Sequence, residues 1–236
     1  GPAWMDALAA DQRRYATARP DYGPGSAARG VDLGEAFGVL ERVLPADRIV
    51  TYGAGNATLW GHRYLTHAGP GTLVGPRNGA MGLSVPAAVA AALVHPDRQV
   101  VAVCGDGDFL MNAQELATAA AHGASPLVLV VDNGIYGTIV QHQRAHYPGR
   151  PSGTAMVNPD FAGWMRTFGG HGERVETTTD FAPALERALA SGRPALLHLF
   201  TDPETMPPGT ANDGLQETGH GEGRPAALAA AREGTA

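Results

Sequence analysis

Four short runs, "RIVTY" (48–52), "QVVAVC" (99–104), "LVLVV" (127–131) and "ALLHLF" (195–200), are apolar at nearly every position. A strand with one wet face alternates apolar and polar residues, because successive side chains point to opposite faces. These runs do not alternate, so each must be covered on both faces. Between them lie stretches with helical spacing: "LGEAFGVLERVL" (33–44), 81–94, "AQELATAAAH" (113–122), 159–168 and 181–191. Strands buried on both sides and alternating with helices predict an α/β fold, a parallel sheet with helices on both faces.

Local signals mark where elements begin and end. Asp32 followed by Glu35 is a capping box at the head of the first helix, and Pro45 closes it. Asn112 with Glu115 repeats the pattern ahead of 113–122, which His122 and Gly123 are suited to close. Residues 1–30, ending in "ARPDYGPGSAARG", lack sustained periodicity and read as an arm or linker. The folded domain is expected over 31–203. Residues 204–236 are rich in Pro, Gly and charge, and are expected to form a mobile tail able to order over a site.

Composition narrows the function classes. The net charge of −6 includes no basic run, which argues against nucleic acid as a partner. No segment has the length of a membrane span, so no membrane is expected. The single cysteine, Cys104, excludes an internal disulfide and any cysteine-held cluster; it reads as buried strand filler. A reducing, cytoplasmic setting is expected.

In an open parallel sheet, ligands bind beyond the carboxyl ends of the strands, and here those ends carry unusual loops. After "VVAVC" comes "GDGD": Gly105 and Gly107 relieve Cβ crowding so that successive amides can face an anion, and Asp106 offers a hard oxygen ligand. After "LVLVV" comes "DNGIYG": Asn133 offers an amide oxygen, and Gly134 lets the chain turn the Ile135 carbonyl the same way. Either loop alone is an ordinary turn. Together they leave successive strands joined by one helix, so both emerge at one sheet end. Asp106, Asn133 and the Ile135 carbonyl would suffice as protein ligands for Mg²⁺, with a diphosphate on the Gly107 and Asp108 amides completing its oxygen shell. "GAGNATLWG" (53–61) lacks the third glycine, and the acidic residue further on, of a dinucleotide fingerprint.

"GDG" with Asn133 lying 27 positions after Asp106 resembles the diphosphate-binding motif of thiamine diphosphate enzymes. "GDGDFLMNAQELATA", "VVDNGIYGTIVQHQ" and "NPDF" (158–161) are similar to the acetolactate synthase, pyruvate oxidase and benzoylformate decarboxylase branch, over roughly residues 31–200. The resemblance implies thiamine diphosphate and Mg²⁺ as cofactors, with Asp106, Asn133 and Ile135 on the metal. It implies cofactor contacts at Gly55, Asn56, Ala57, Gly79, Met81, Gly105, Asp106, Gly107, Asp108, Asn133, Ile135 and Tyr136. The Gly79 carbonyl would meet the aminopyrimidine, and Met81 would wedge beneath the bent cofactor.

Departures from the pattern matter. Asn56 and Ala57 stand where the family often carries Gln and His, which weakens the polar grip. Asp108 replaces a small residue, so its carboxylate must point away from the diphosphate. His142 stands where acetolactate synthases typically carry Trp; it is a candidate substrate contact, and equally an ordinary surface histidine.

In the family, a Glu beside the pyrimidine sits on a separate, preceding domain, and nothing here resembles it. Glu35 and Glu41 are explained as helix acids. The chain is therefore expected to be either a fragment excised from a longer enzyme or, as its own arm and tail favour, the diphosphate-binding subunit of a two-chain enzyme, in a hetero-oligomer, expected as a heterotetramer, with a pyrimidine-binding subunit. The implied reaction is decarboxylation of a 2-oxo acid with transfer of the acyl anion to a carbonyl acceptor. A simple decarboxylase subunit of the sulfopyruvate or phosphonopyruvate type is the alternative, made less apt by "TIVQHQ". A 2-oxo acid:ferredoxin oxidoreductase is disfavoured by the lone cysteine, and a non-catalytic scaffold of the same fold is a further reading.

Overall fold

A computed structural model describes residues 2–18 and 29–206. The elements run α1 (Pro2–Thr17), α2 (Leu33–Val43), β1 (Ile49–Tyr52), α3 (Asn56–Tyr64), β2 (Leu73–Val74), α4 (Ser84–Val94), β3 (Val100–Gly105), α5 (Asp106–Asn112), α6 (Leu116–His122), β4 (Leu127–Asp132), α7 (Gly137–His146), α8 (Phe161–Thr167), β5 (His171–Val175), α9 (Thr178–Ala190) and β6 (Ala195–Phe200). The six strands form one sheet in the order β2-β1-β3-β4-β6-β5, parallel at every pairing.

The four expected strands are β1, β3, β4 and β6, and their unbroken burial has the expected cause. Val101 and Val103 of β3 face a core shared with α2, α3 and α9, through Phe37, Trp60 and Phe181. Val100, Ala102 and Cys104 face a second core with α4, α5, α6 and α8, through Val89, Phe109 and Phe161. Each strand thus feeds two hydrophobic layers, and Cys104 is the buried filler expected. The two edge strands were not apparent from pattern: β2 is two residues long, and β5, "HGERV", carries polar residues that are half-buried or, at Arg174, exposed.

Capping follows the sequence in part. Asp32 caps α2 by accepting from the Glu35 amide at 3.1 Å, and α2 stops at Val43, with Leu44 as its C-cap ahead of Pro45. Gly123 ends α6 in the left-handed conformation (φ +69°). The expected second capping box does not form. The helical stretch instead starts at Asp106, passes through a 3-10 turn at Ala113–Glu115, and resumes as α6. Asn112 makes no cap hydrogen bond and donates to the Gly82 carbonyl at 2.9 Å. The arm is helical over Pro2–Thr17 and leans on α3, where Tyr64 donates its hydroxyl to Ala18 O at 2.6 Å. The expected tail lies mostly outside the described residues, at 207–236.

Strand order also sets where the loops meet. The chain runs outward from β1 to β2, then returns to place β3 on the other side of β1. Such a reversal opens a crevice at the carboxyl ends of β1 and β3. β3 and β4 pair from Val101↔Leu127 to Gly105↔Val131, so Asp106 and Asp132 leave the sheet side by side.

Candidate functional site

Beyond those strand ends lies a cavity of about 300 Å³. Its floor is the first turn of α5, anchored by Phe109, which is fully buried and packs edge-to-face on Phe161 and Trp164. Each such aromatic pair contributes about 0.5–1.5 kcal/mol beyond burial, enough to fix one short helix. One wall is the β1–α3 loop with the head of α3, and another the turn around Met81; the β4–α7 loop closes the third side. All twelve residues singled out as cofactor contacts line this cavity. His142 does not: it is exposed on α7, its ring near that of His146.

Asp106, almost fully buried, joins the two loops. Its Oδ1 accepts from the Gly107 amide at 2.9 Å, and its Oδ2 accepts from the Gly134 amide at 3.0 Å. Gly134 sits at φ +69°, a conformation costly for residues with a Cβ, and its amide is also shared with Asp132 Oδ1 at 2.9 Å. Asn133 Oδ1 accepts from Ile135 N at 3.2 Å. A short antiparallel bridge joins Ile135 to Ala155 through Tyr136 N to Thr154 O and Met156 N to Gly134 O, so the Ile135 carbonyl is not consumed by it. The Tyr136 ring lies against the glycine turn: a Cβ on Gly107 would come within 2.5 Å of it.

Three residues not singled out from sequence complete the floor. Asn158 Nδ2 donates to Asp106 Oδ2 at 2.7 Å and to Asp132 Oδ1 at 2.8 Å, and His198 Nε2 lies 2.8 Å from Asp132 Oδ2. Burial, then the neighbouring Asp132 charge, hold Asp106 well above the usual carboxylate range. Burial acts on Asp132 too, but the His198 and Asn158 hydrogen bonds hold it below that range. His198 carried a signal, as a polar residue inside "ALLHLF" needs a buried partner. Asp132 was adjacent to Asn133 but read as part of a turn. Asn158 lies too far along the chain for spacing to reveal it.

The carboxylates lining the cavity are Asp106, Asp108 and Asp202, and none of the described residues lining it is basic. An anion cannot be held against such a wall unless a cation comes with it. The donors on offer at the joined loops, a carboxylate, an amide oxygen and a carbonyl, are the hard oxygens that Mg²⁺ takes. The residues present therefore fit a divalent cation carrying a phosphate-type anion.

The remaining contacts shape the mouth. Thr138 donates to Asn56 Oδ1 at 3.1 Å, and the Asn56 amide nitrogen lies 3.6 Å from Met206 Sδ. Arg144 and Glu204 pair through two bonds of 2.7 and 2.8 Å, holding the segment after β6 beside the opening, where Thr201 and Thr205 line it. Met81 is 38% exposed at the rim.

Comparison with known proteins agrees with this geometry. A family model described as "Thiamine pyrophosphate enzyme, C-terminal TPP binding domain" matches residues 53–199. The acetolactate synthase isozyme 2 large subunit of Escherichia coli (strain K12) is 33% identical over 180 residues, covering 73% of this chain and 33% of that protein. The acetolactate synthase large subunit of Parasynechococcus marenigrum (strain WH8102) is 32% identical over 217 residues, covering 89% and 34%. Among solved structures, the thiamine diphosphate-dependent 4-hydroxybenzoylformate decarboxylase of Rhodococcus jostii RHA1 superposes with a TM-score of 0.69 at 27% identity, covering 77% of this chain and 35% of that one. The chain spans about a third of the length of the curated relatives it matches.

Proposed function

This chain belongs to the thiamine pyrophosphate enzymes, as their C-terminal cofactor-binding domain, and from that premise we propose that it holds the diphosphate end of thiamine diphosphate through Mg²⁺ in an acetolactate synthase-like enzyme. One observation carries the reading: the Gly134 amide donates to Asp106 at 3.0 Å, which joins two loops whose metal donors lie 27 positions apart. Asp106, Asn133 and the Ile135 carbonyl would hold the metal. The Gly107 and Asp108 amides, with Asn56, would hold the diphosphate; Gly79 and Met81 would meet the rings.

Bound there, the cofactor supplies a carbon nucleophile for the carbonyl of a 2-oxo acid and a sink for the electron pair released with CO₂. The described residues lining the cavity would orient the cofactor and seat the cation whose charge offsets the diphosphate. Asp106 and Asn133 set the metal's position, and the apolar wall of Val31, Leu33 and Trp60 keeps water from the cavity floor.

The proton chemistry falls to a Glu on a pyrimidine-binding partner subunit, in a hetero-oligomer. Favouring such a partner, Met81 at the rim and Leu110 and Met111 on α5 are exposed apolar side chains, Met111 lying close to Gly82 next to Met81, and a second polypeptide would cover them. Decarboxylation without ligation is a second reading. It draws on the name of the Rhodococcus neighbour and on His142, which leaves no large aromatic at its position.

The test is calorimetric titration of the assembled enzyme with thiamine diphosphate, with and without Mg²⁺, followed by assay with pyruvate for CO₂ and for a coupled hydroxyketone acid. Saturable, Mg²⁺-dependent binding is expected. Absence of binding refutes the reading, and CO₂ release without the coupled product selects the second one.

A further inference from the structure

The carboxylate of Asp108 is 2% exposed and spends its acceptors on its own chain. Oδ1 accepts from the Gly82 amide at 2.7 Å and the Ala54 amide at 3.3 Å, and Oδ2 accepts from the Ser84 hydroxyl at 2.8 Å. Ala54 leads into Gly55 and Asn56 on one side of the cavity; Gly82 follows Gly79 and Met81 on the other. One side chain on the first turn of α5 therefore spans both walls.

A second contact completes the grip. Asn112, one helical turn beyond Asp108 on the same face of α5, donates to the Gly82 carbonyl at 2.9 Å. Both backbone polar groups of Gly82 are thus held by α5, one by Asp108 and the other by Asn112. Gly82 sits at φ +90°, a conformation open to glycine and strained for any residue with a Cβ, so the turn that α5 holds here depends on glycine.

The space around the carboxylate has been cleared for it. A Cβ on Gly53 would lie 1.9 Å from Asp108 Oδ2 and 2.2 Å from Asp108 Cγ. Gly53 does not have a positive φ, so conformation alone does not require glycine there; the volume of the Asp108 carboxylate does. A short side chain at position 108 would not reach three donors on two loops.

We propose that Asp108 is a positioning residue of the cofactor site, a tether that fixes the 53–57 loop and the 79–84 turn at the separation thiamine diphosphate needs, with Gly53 as its steric complement. The cofactor part rests on the function proposed above. Asp108 is not a catalytic residue, since its oxygens face the protein rather than the cavity's ligand.

Hydrogen exchange on the full chain without cofactor reads the tether directly. The Ala54 and Gly82 amides should exchange slowly in the wild type and in Asp108→Asn, which keeps an acceptor oxygen for both. They should exchange at least about tenfold faster in Asp108→Ala, the loss of protection expected when a buried acceptor disappears. In the assembled enzyme with Mg²⁺, Asp108→Ala should weaken thiamine diphosphate binding about 10–100-fold, the range for residues that support a ligand's direct contacts. Asp108→Asn should restore most of that affinity. Gly53→Ala should lower the melting temperature, and adding Asp108→Ala to it should recover part of the loss, because the clash partner is gone. If Asp108→Ala does not fold, Asp108→Ser, too short to span the loops, is read the same way.

Unchanged exchange at Ala54 and Gly82 in Asp108→Ala overturns the tether, as does a Gly53→Ala defect that the second substitution deepens. Equal loss of affinity in the Ala and Asn variants overturns positioning in favour of a charge effect. A wild-type enzyme that takes up no thiamine diphosphate overturns the proposed function and the cofactor part of this proposal, while the exchange and double-variant results still decide the tether.

Discussion

Asn158 Nδ2 lies 2.7 Å from Asp106 Oδ2, and the same nitrogen reaches Asp132 Oδ1 at 2.8 Å. One amide thus stands between two buried carboxylates whose strands pair in register. Asn158→Ala would leave both acceptors short of a donor in a low-dielectric site, a cost of about 1–3 kcal/mol. Urea unfolding of the cofactor-free chain should show that loss. Mg²⁺ affinity in the presence of thiamine diphosphate should fall about 10–100-fold, since Asp106 loses its orientation.

The sheet and its covering layers were legible because β1, β3, β4 and β6 are buried on both faces and leave no alternation. The joined loops were legible because each starts where such a run ends. What escaped has physical reasons. β5 is an edge strand with polar residues that are half-buried or exposed, so it lacks an apolar signature. α1 is exposed along nearly its whole length, so burial imposed no period on it. α3 and α7 begin inside glycine-bearing loops whose chemistry dominates their sequence. Asn112 carried a capping pattern, but the Gly82 carbonyl, brought in by the fold, took its side chain. Asn158 and Asp108 act through partners tens of residues away, and no local rule exposes such contacts.

His67 sets an acid-side limit on stability. Its Nδ1 donates to Thr72 O at 3.3 Å, which leaves Nε2 to accept from the buried Tyr52 hydroxyl at 3.3 Å. Burial, opposed by the Thr72 bond, holds its pKa below the ordinary 6.5; the Arg48 charge adds to burial and Glu41 opposes it. His62, stacked on Tyr52, is lowered as well, by burial and by His67. A lowered histidine pKa means that the unfolded chain takes up the proton first. Stability should therefore be level above the ordinary value and fall as pH drops through it toward the folded value. The decline is read as a difference: between about pH 8 and pH 5 the urea midpoint of the wild type should fall relative to that of His67→Gln, which removes the His67 part and leaves the opposing Asp106 part in both.

Met81 separates ligand binding from folding. At 38% exposure on the cavity rim it contributes little to either core, so Met81→Ala should change unfolding free energy by less than about 1 kcal/mol. If it supports the cofactor rings, thiamine diphosphate affinity in the assembled enzyme should drop about tenfold or more, with the Mg²⁺ requirement unchanged, the pattern expected of a lost apolar contact. Equal affinity in the variant would remove Met81 from the site.

Asp106 should show the opposite pairing of effects. Burial and the Asp132 charge raise its pKa above the ordinary 3.8. The unfolded chain therefore releases this proton at lower pH than the folded one. Without metal, its contribution to stability should decline as pH climbs from about 4 toward neutrality. Asp106→Asn cannot ionise, so that part of the pH dependence should flatten. The absolute stability gain is limited, because the Asn nitrogen would face the Gly107 amide or the Gly134 and Asn158 donors where an acceptor stood. Metal binding reverses the sign: a divalent ion beside Asp106 would favour the ionised form, and Mg²⁺ with thiamine diphosphate should raise the wild-type melting temperature more at pH 8 than at pH 5. The Asn variant, with a neutral and weaker ligand, should lose that shift at both. A ligand-induced shift of equal size in wild type and variant would place the cation elsewhere than on Asp106.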